Sequence, residues 1–204
     1  AASLDRALLD REARLDPLTG LAQRRVLERQ LEEGFERAAE GGGTLAVVMC
    51  DLDHFKRIND THGHTVGDEA LVAIARLLEA HRRGSDLCCR YGGEEFTLLL
   101  FDSDGGRALA VAERLRRAIE SHEFVVSGTR VPLSVSIGLA VFPELIARDG
   151  EDLLATADLA LYEAKRQGRN RCLLAIGKGR FKTPAGDIVT GGDSSPSKAP
   201  QIFA

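Results

Sequence analysis

Two short apolar runs joined by a glycine pair constrain the fold of this chain more than any other feature of its sequence. Residues 86–90 read DLCCR and residues 96–101 read FTLLLF, with YGGEE between them at 91–95. Glycine readily takes the positive φ that a tight hairpin turn needs, so this pattern predicts a β-hairpin. The two adjacent glutamates repel each other and do not stabilise the start of a strand. They indicate either a solvated hairpin tip or one half of a charged site.

Length and charge bound the class of protein. A chain of 204 residues, 44% hydrophobic and 28% charged, predicts one domain with tails. The net charge of -4 gives no general attraction to nucleic acid or to anionic membranes. No apolar run reaches the length of about 18 residues that a membrane-spanning helix requires.

The cysteines indicate a reducing compartment. None of them belongs to a CxxC pair, and three lie inside apolar runs typical of strands. The pattern predicts buried, reduced thiols in a cytoplasmic protein. These residues are Cys50, Cys88, Cys89 and Cys172.

The remaining apolar patterns alternate between helical and extended periods. Helices are predicted over 22–40, 66–83, 106–121 and 151–167. Besides the hairpin, strands are predicted over 44–52, 134–142 and 171–176, with a small ribbon at 124–127 and 130–132. This order mixes crossover connections with an antiparallel hairpin. It therefore predicts an α/β (α+β) fold, with a mixed central β-sheet flanked by helices.

The two ends of the chain differ in composition from its middle. Residues 1–15 carry leucines at helical spacing among charged residues, which predicts a helix with a thin apolar stripe. We interpret it as the end of a longer coiled-coil stalk; a helix lying on its own domain is the alternative. Residues 16–176 carry the regular apolar patterns and form the predicted domain. Residues 177–204 contain Gly, Pro, Ser, Lys and Thr with few apolar residues, and predict a mobile tail.

A second pair of carboxylates follows the most apolar strand. Asp51 and Asp53 come at the end of the run TLAVVMC, which is typical of a strand buried on both faces. Carboxylates at such a position are costly unless a cation binds there. Mg²⁺ favours a few carboxylates together with the oxygens of a substrate phosphate, and Asp51 with Glu94 could supply them. Solubility of the strand end is the alternative interpretation.

These motifs together resemble the GGDEF domain of the diguanylate cyclase family, in its GGEEF form. The resemblance rests on DLDHFKRIND at 51–60, GHTVGD at 63–68 and GGEEF at 92–96. Further motifs in the family's order are DPLTGL at 16–21 with Arg24 and Arg25, SVSIG at 134–138 and ADLALYEAKRQGRN at 157–170. The resemblance covers about residues 14–176. One departure is Gln23, where the family usually has Asn.

The resemblance implies a fold similar to the polymerase palm and the class III nucleotide cyclases. It implies a reaction in which two GTP become cyclic di-3′,5′-GMP and two pyrophosphates. It also implies two divalent ions per active site, Mg²⁺ or Mn²⁺, held by Asp51, the backbone carbonyl of Leu52 and Glu94. Glu94 is further expected to help deprotonate the attacking 3′-hydroxyl, while Glu95 is expected to lie behind the metal ligands.

By the same resemblance, Asn59 and Asp68 read guanine, and His64 lines their pocket. An aspartate accepts hydrogen bonds from N1–H and the 2-amino group of guanine. Adenine lacks both donors and would leave that carboxylate unpaired. From the residues alone, Asn59 is equally typical of a turn and Asp68 of a helix N-cap.

The triphosphate requires cations. Lys56, Lys165 and Arg169 match the family's phosphate contacts, and Lys56 is counted with the catalytic residues. Phe55 and the backbone amides of the turn around it are expected to hold the β- and γ-phosphates. For Lys165 by itself, a solvated helix face is the ordinary interpretation.

A short motif just before the hairpin resembles the family's inhibitory product site, RxxD. Arg83 and Asp86 supply it, and Arg114 on the following helix is expected to complete it, from the same chain or a partner chain. An arginine fork suits guanine and phosphate. The alternative is an arginine-rich helix C-terminus favoured by the helix dipole.

The sequence therefore predicts a diguanylate cyclase with product inhibition. The alternative is a non-enzymatic receptor for GTP or cyclic di-GMP, but such receptors usually lose the glycine pair or the acidic residues that this chain keeps. Asn59 with Asp68 disfavours an adenylate cyclase or a polymerase palm. Catalysis is expected to need a homodimer in which each protomer presents one GTP to the other. A membrane attachment is expected only through a region upstream of this sequence.

Overall fold

The structure, a computed structural model, describes residues 14–126 and 128–191. Its strands are β1 (Ala22–Gln23), β2 (Leu45–Leu52), β3 (Leu87–Gly92), β4 (Glu95–Phe101), β5 (Val125–Val126), β6 (Thr129–Arg130), β7 (Val135–Phe142), β8 (Cys172–Gly177), β9 (Arg180–Lys182) and β10 (Ile188–Thr190). Its helices are α1 (Arg24–Gly41), α2 (Phe55–His62), α3 (His64–His81), α4 (Gly105–Ser121) and α5 (Gly150–Arg166). The predicted stalk helix lies outside the described residues except for residues 14 and 15.

One eight-stranded sheet has the order β1-β3-β4-β2-β7-β8-β9-β10, and β5 pairs with β6 separately. The central strand β2 is antiparallel to both of its neighbours, β4 and β7. The pairs β1–β3 and β7–β8 are parallel, while β3–β4 is the predicted antiparallel hairpin. The prediction of a mixed central sheet flanked by helices is thus confirmed.

Burial explains why β2 lies at the centre. All eight of its residues are buried, as its continuous apolar run requires. Alternate residues Ala46, Val48 and Cys50 face one core cluster, which α3 and α4 complete. Leu45 and Val47 face a second cluster, which α1 and α5 complete. Helices therefore cover both faces of the sheet and leave the ends of its strands for a site.

Helix α2 was not predicted from the sequence. It spans only Phe55–His62, and Phe55 and Ile58 are its two buried residues. Two apolar residues give too short a pattern to distinguish a helix from a turn. A helix of this length is stabilised by its packing, here mainly against α3.

The prediction of a mobile tail beginning at residue 177 is wrong for residues 177–191. Strands β9 and β10 continue the sheet beyond β8, closed by a turn in which the Thr183 N–H donates to the Asp187 carbonyl at 2.9 Å. Phe181 is the anchor, because it is buried against Ala160, Ala164 and Leu173. One buried aromatic outweighs the polar composition around it. Residues 192–204 lie outside the described residues.

The prediction of buried thiols agrees with the structure. All four cysteines are free and buried, and burial raises the pKa of the Cys88 and Cys89 thiols to about 12. In the described part of the chain, no helix combines the length and the apolar character needed to cross a membrane.

Candidate active site

The two predicted carboxylate clusters meet at one edge of the sheet. Asp51, near the end of β2, lies opposite Glu95 at the start of β4. The Leu52 N–H donates to the backbone carbonyl of Glu94 at 3.2 Å, which fixes the hairpin turn against the end of β2. The antiparallel pairing of β2 with β4 therefore brings together residues that are more than 40 positions apart in the sequence.

Lys165 lies against the buried carboxylate of Asp51. Asp51 is 7% exposed, and the Lys165 Nζ is 2.8 Å from its Oδ2. Burial raises the pKa of Asp51, Lys165 acts to lower it, and Glu94 and Asp53 add to the rise. A solvated helix face is therefore the wrong interpretation for Lys165. The lysine neutralises a carboxylate whose charge would otherwise be costly at this depth.

Two further acidic residues surround the same lysine. Burial raises the pKa of Glu95, and the charge of Asp51 adds to the rise. Burial also raises the pKa of Asp158 on α5, which Lys165 acts to lower. No role was predicted for Asp158, although a spacing of seven residues from Lys165 places both on one face of a helix. The site thus gathers negative charge where a bound cation would be favoured.

The donor atoms suit a magnesium-like ion that also binds substrate. Among residues 14–126 and 128–191, no three His, Cys, Asp or Glu side chains form a complete metal cluster. Asp51, Leu52 and Glu94 lie at the same strand end, where two carboxylates and a backbone carbonyl would be available to an ion. Mg²⁺ accepts such an incomplete protein set because it keeps waters and phosphate oxygens as its other ligands. The residues present therefore fit the implied ions.

Asp53 stabilises the structure of the site, because hydrogen bonds within the protein occupy its carboxylate. Its Oδ1 accepts from the Ser136 Oγ at 2.7 Å, and its Oδ2 accepts from the Ser134 Oγ at 2.9 Å. Its Oδ2 also accepts from the Asn170 N–H at 3.0 Å. These bonds join the end of β2 to β7 and to the turn after α5. The sequence offered no signal for them, because the partners lie 81 to 117 positions away.

Arg90 fixes the glycine turn from behind. Its Nε and Nη2 donate to the Gly93 carbonyl at 3.0 and 2.9 Å, and its Nη1 donates to the Asp16 Oδ1 at 3.1 Å. Burial acts to raise the pKa of Asp16, but hydrogen bonds from Thr19 and Arg90 lower it overall. The N-terminal turn is thereby tied to the turn that carries Glu94. Asp16 and Arg90 both belong to motifs recognised in the sequence, but their contact was not predicted.

Asn59 on α2 lies against Gly67 of α3, the residue before Asp68. A Cβ on Gly67 would collide with the Asn59 Oδ1, so only glycine permits this approach. That oxygen is buried and has no hydrogen-bond partner among the described residues. Asp68 follows Gly67 directly and is exposed, as is His64 one turn earlier. Because the residue before α3 is Gly63, the N-cap interpretation of Asp68 is wrong.

The predicted phosphate contacts lie on helix α2, on helix α5 and in the turn that follows α5. Phe55 is buried at the first turn of α2, and Lys56 beside it is exposed. Lys165 lies in the last turn of α5. Arg169 follows in an exposed turn, where its N–H donates to the Ala164 carbonyl at 3.1 Å.

The predicted inhibitory residues converge at the end of α3. The Asp86 Oδ2 accepts from the Arg83 N–H at 2.9 Å. Its Oδ1 is buried without a partner among the residues that the structure describes. The Arg114 Nη2 donates to the His81 carbonyl at 3.1 Å, which brings α4 to the same place. A buried oxygen without a partner is an arrangement that a polar ligand could complete.

These features define an α/β domain that holds cationic and anionic groups at one edge of a mixed sheet. The model of the family described as "Diguanylate cyclase, GGDEF domain" matches residues 13–171. The chain therefore belongs to the GGDEF domain family, as its motifs predicted.

Curated relatives and solved structures agree with this assignment. The chain is 42% identical over 158 residues to the response regulator PleD of Caulobacter vibrioides, covering 76% of this chain and 34% of that protein. It is 43% identical over 166 residues to diguanylate cyclase DgcP of Pseudomonas aeruginosa, covering 80% and 24%. The chain spans a quarter to a third of the length of these two relatives. The coiled coil and GGDEF domain of DgcB from Caulobacter crescentus, solved with c-di-GMP, superposes with a TM-score of 0.79 at 30% identity, covering 85% of this chain and 94% of that one.

Proposed function

We propose that this domain is a diguanylate cyclase, which condenses two GTP into cyclic di-3′,5′-GMP and releases two pyrophosphates. The observation that carries the proposal is the meeting of Asp51, Leu52 and Glu94 at one strand end, with Lys165 beside them. Relatives named diguanylate cyclases and a solved relative in complex with c-di-GMP support it.

Asp51, the Leu52 carbonyl and Glu94 would hold two divalent cations, Mg²⁺ or Mn²⁺, which stabilise charge on the attacking and leaving oxygens. Glu94 takes the proton of the 3′-hydroxyl of one GTP. That oxygen bonds to the α-phosphorus of the second GTP, and the bond to the departing pyrophosphate breaks. The 3′-hydroxyl of the second GTP then attacks the α-phosphorus of the first in the same way, which releases the second pyrophosphate and closes the ring. Lys56, Lys165 and Arg169 bind the remaining phosphate charge.

Guanine binds between α2 and α3. The Asp68 carboxylate accepts from N1–H and the 2-amino group, and the Asn59 amide pairs with the neighbouring acceptors of the base. His64 lines the pocket one turn before Asp68, and Phe55 supports the turn at the phosphates. The unpaired Asn59 Oδ1 supports this assignment, since a buried polar atom gains from a ligand that pairs with it.

Two protomers facing each other across a two-fold axis make both attacks equivalent. The product then has a second site at Arg83, Asp86 and Arg114, where it inhibits turnover without occupying the GTP site. The unpaired Asp86 Oδ1 supports this regulatory role.

The test is incubation of the protein with GTP and Mg²⁺, with the product identified by mass. Glu94→Gln keeps the shape of the side chain but removes a charge, so turnover should fall by about 100-fold or more with the fold intact. Glu69→Gln, an exposed glutamate on α3, is the matched control. A cyclic product from Glu94→Gln at the parent rate would refute the metal role. Binding of cyclic di-GMP without any turnover by the parent would instead identify a receptor.

A further inference from the structure

The turn that carries Arg169 has an unusual backbone. Gly168, Arg169 and Asn170 have φ angles of 113°, 65° and 47°, so three consecutive residues are left-handed. Residues other than glycine rarely take this conformation, and neighbouring contacts must stabilise it. Arg169 itself is exposed. The direction in which its side chain leaves the backbone therefore depends on the contacts that stabilise this turn.

Asn170 holds this turn through three hydrogen bonds. Its Nδ2 donates to the Glu120 Oε1 at 2.6 Å, and its Oδ1 accepts from the Arg116 Nη1 at 2.8 Å. Its backbone N–H donates to the Asp53 Oδ2 at 3.0 Å. The side-chain amide is thus satisfied at both ends by α4, while the backbone is fixed to the end of β2. Only one orientation of the amide satisfies a cation on one side and a carboxylate on the other.

The partners of Asn170 on α4 are themselves fixed. Two nitrogens of Arg116 donate to the two carboxylate oxygens of Glu113, each at 2.9 Å. Its Nη1 also donates to the Glu120 Oε2 at 2.9 Å, and the side chain is only 12% exposed. A planar arginine held by two carboxylates has little rotational freedom left. Helix α4 therefore holds the two hydrogen-bonding partners of the Asn170 amide in fixed positions.

We infer that Asn170 is a positioning residue, through which α4 holds Arg169 in the orientation that binds the phosphates of GTP. This inference rests on the phosphate role of Arg169 in the proposed function. Asn170 touches no substrate in this scheme. It supplies a neutral amide between Arg116 and Glu120, where an aspartate would meet Glu120 with a like charge.

Two variants test the contacts of the Asn170 side chain while keeping its backbone hydrogen bond. Asn170→Gly keeps the left-handed conformation and the N–H to Asp53 but removes the amide. Arg116→Ala removes a partner of the amide on α4 without altering any residue of the turn itself. Arg117→Ala is the matched control, because Arg117 pairs with the same Glu113 at 2.7 Å but is 72% exposed. Circular dichroism and a cooperative melting transition well above the assay temperature establish that each variant is folded. Arg116→Ala should melt below the parent because it loses its ion pair with Glu113.

The decisive measurement is the affinity for a non-hydrolysable GTP analogue compared with the affinity for GMP, both with Mg²⁺. Asn170→Gly and Arg116→Ala should each bind the GTP analogue about tenfold more weakly, while GMP affinity stays within about twofold, since GMP lacks the outer phosphates. Arg117→Ala should match the parent for both nucleotides. Equal losses for GTP and GMP would mean that Asn170 has only a structural role, which would overturn the inference.

A double variant tests whether Asn170 acts through Arg169. Arg169→Ala should weaken binding of the GTP analogue, and adding Asn170→Gly should cause no further loss. Additive losses would overturn the inference. If Arg169→Ala weakens binding but Asn170→Gly and Arg116→Ala do not, the inference fails while the proposed function stands. If Arg169→Ala has no effect, the phosphate role fails and the inference fails with it.

Discussion

Asp51 and Asp53 lie two residues apart at the end of β2, and both are buried. Hydrogen bonds from Ser134, Ser136 and Asn170 occupy the oxygens of Asp53. Asp51 has Lys165 as its ion-pair partner, a flexible side chain that can exchange for another cation. Surroundings, not residue type, thus decide which carboxylate is available to a ligand.

Guanine recognition gives a prediction at this scale. Asp68→Ala and Asn59→Ala should each weaken GTP binding by about 1–3 kcal/mol, because buried hydrogen-bonding groups of the base lose their partners. Calorimetric titration with a non-hydrolysable GTP analogue measures this loss. Glu69→Ala, which removes the next carboxylate on α3, serves as the control and should bind normally. Unchanged affinity in both test variants would place the base elsewhere.

Glu113 gives a prediction about pH. Hydrogen bonds from Arg116 and Arg117 lower the pKa of Glu113 from 4.5 to about 2, against the opposing effect of burial. A carboxyl whose pKa is lowered by folding stabilises the protein above its unfolded pKa and loses that effect as pH falls through the folded value. Glu113→Gln should therefore lower the free energy of unfolding by about 1–2 kcal/mol above about pH 5, and the difference should shrink towards pH 2.

Denaturant unfolding at a series of pH values measures that difference. Glu123→Gln, in the exposed loop after α4, is the control and should follow the parent curve. A constant difference between Glu113→Gln and the parent from pH 7 to about pH 2 would contradict the assigned ion pairs.

At the scale of elements, α5 determines where the cationic residues of the site lie. The helix packs on β7 so closely that a Cβ on Gly138 would lie 2.6 Å from the Leu161 Cα, and closer still to the backbone of Leu161 and Ala157. Lys165 follows Leu161 by one turn of the same helix. Close packing of helix on strand therefore sets the depth at which the lysine meets Asp51.

Gly138→Ala should displace α5 from the sheet. Backbone atoms of Ala157 and Leu161 cannot move aside as a side chain would, so the variant should lose about 1–3 kcal/mol of stability or fail to fold. Thermal and denaturant unfolding measure the loss. Gly41→Ala is the control, since its Cβ would meet no atom within 4 Å. A variant Gly138→Ala as stable as the parent would contradict this packing.

Elements with long apolar patterns could be predicted from the sequence. Elements that depend on one or two buried residues could not. The eight buried residues of β2 and the hairpin at Gly92 and Gly93 were predictable from local chemistry. Helix α2 and the strands β9 and β10 depend on one or two buried aromatic or aliphatic residues, among them Phe181. The network around Asn170 joins residues 50 to 117 positions apart and has no local signal.

For the molecule as a whole, the proposed reaction requires two copies. A short contact between hydrophilic, glycine-rich turns should be weak, and a stalk that joins two domains would raise their effective concentration. We therefore expect this chain by itself to be largely monomeric when dilute and to gain specific activity as its concentration rises. Initial rate against protein concentration at saturating GTP measures this, with light scattering for mass.

A fused dimeric coiled coil is the control for that experiment and should remove the dependence on concentration. Strict proportionality between rate and protein down to nanomolar concentration, with a monomer in light scattering, would rule out the two-protomer scheme.

Product inhibition is tested in the same assay. Arg83→Ala or Asp86→Ala should relieve inhibition by cyclic di-GMP and leave the initial rate unchanged, because the residues lie at the end of α3 away from Asp51 and Glu94. Arg76→Ala, which removes an exposed arginine of α3 outside the 83–86 segment, is the control and should keep the inhibition of the parent. Progress curves that match the parent would argue against a second product site.

The short terminal strands β1 and β10 have a consequence for how copies of this domain meet. An open strand edge invites another chain to add to the sheet, and natural proteins blunt such edges with very short strands. Among the described residues, one side of the sheet ends in the two residues of β1, whose Gln23 N–H already donates to the Arg14 carbonyl at 2.9 Å, and the other side ends in the three residues of β10. Without β9 and β10, the apolar strand β8 would offer its backbone to a neighbour. By pairing with β8, the hairpin of β9 and β10 covers that edge and leaves a much shorter strand exposed to edge-to-edge association.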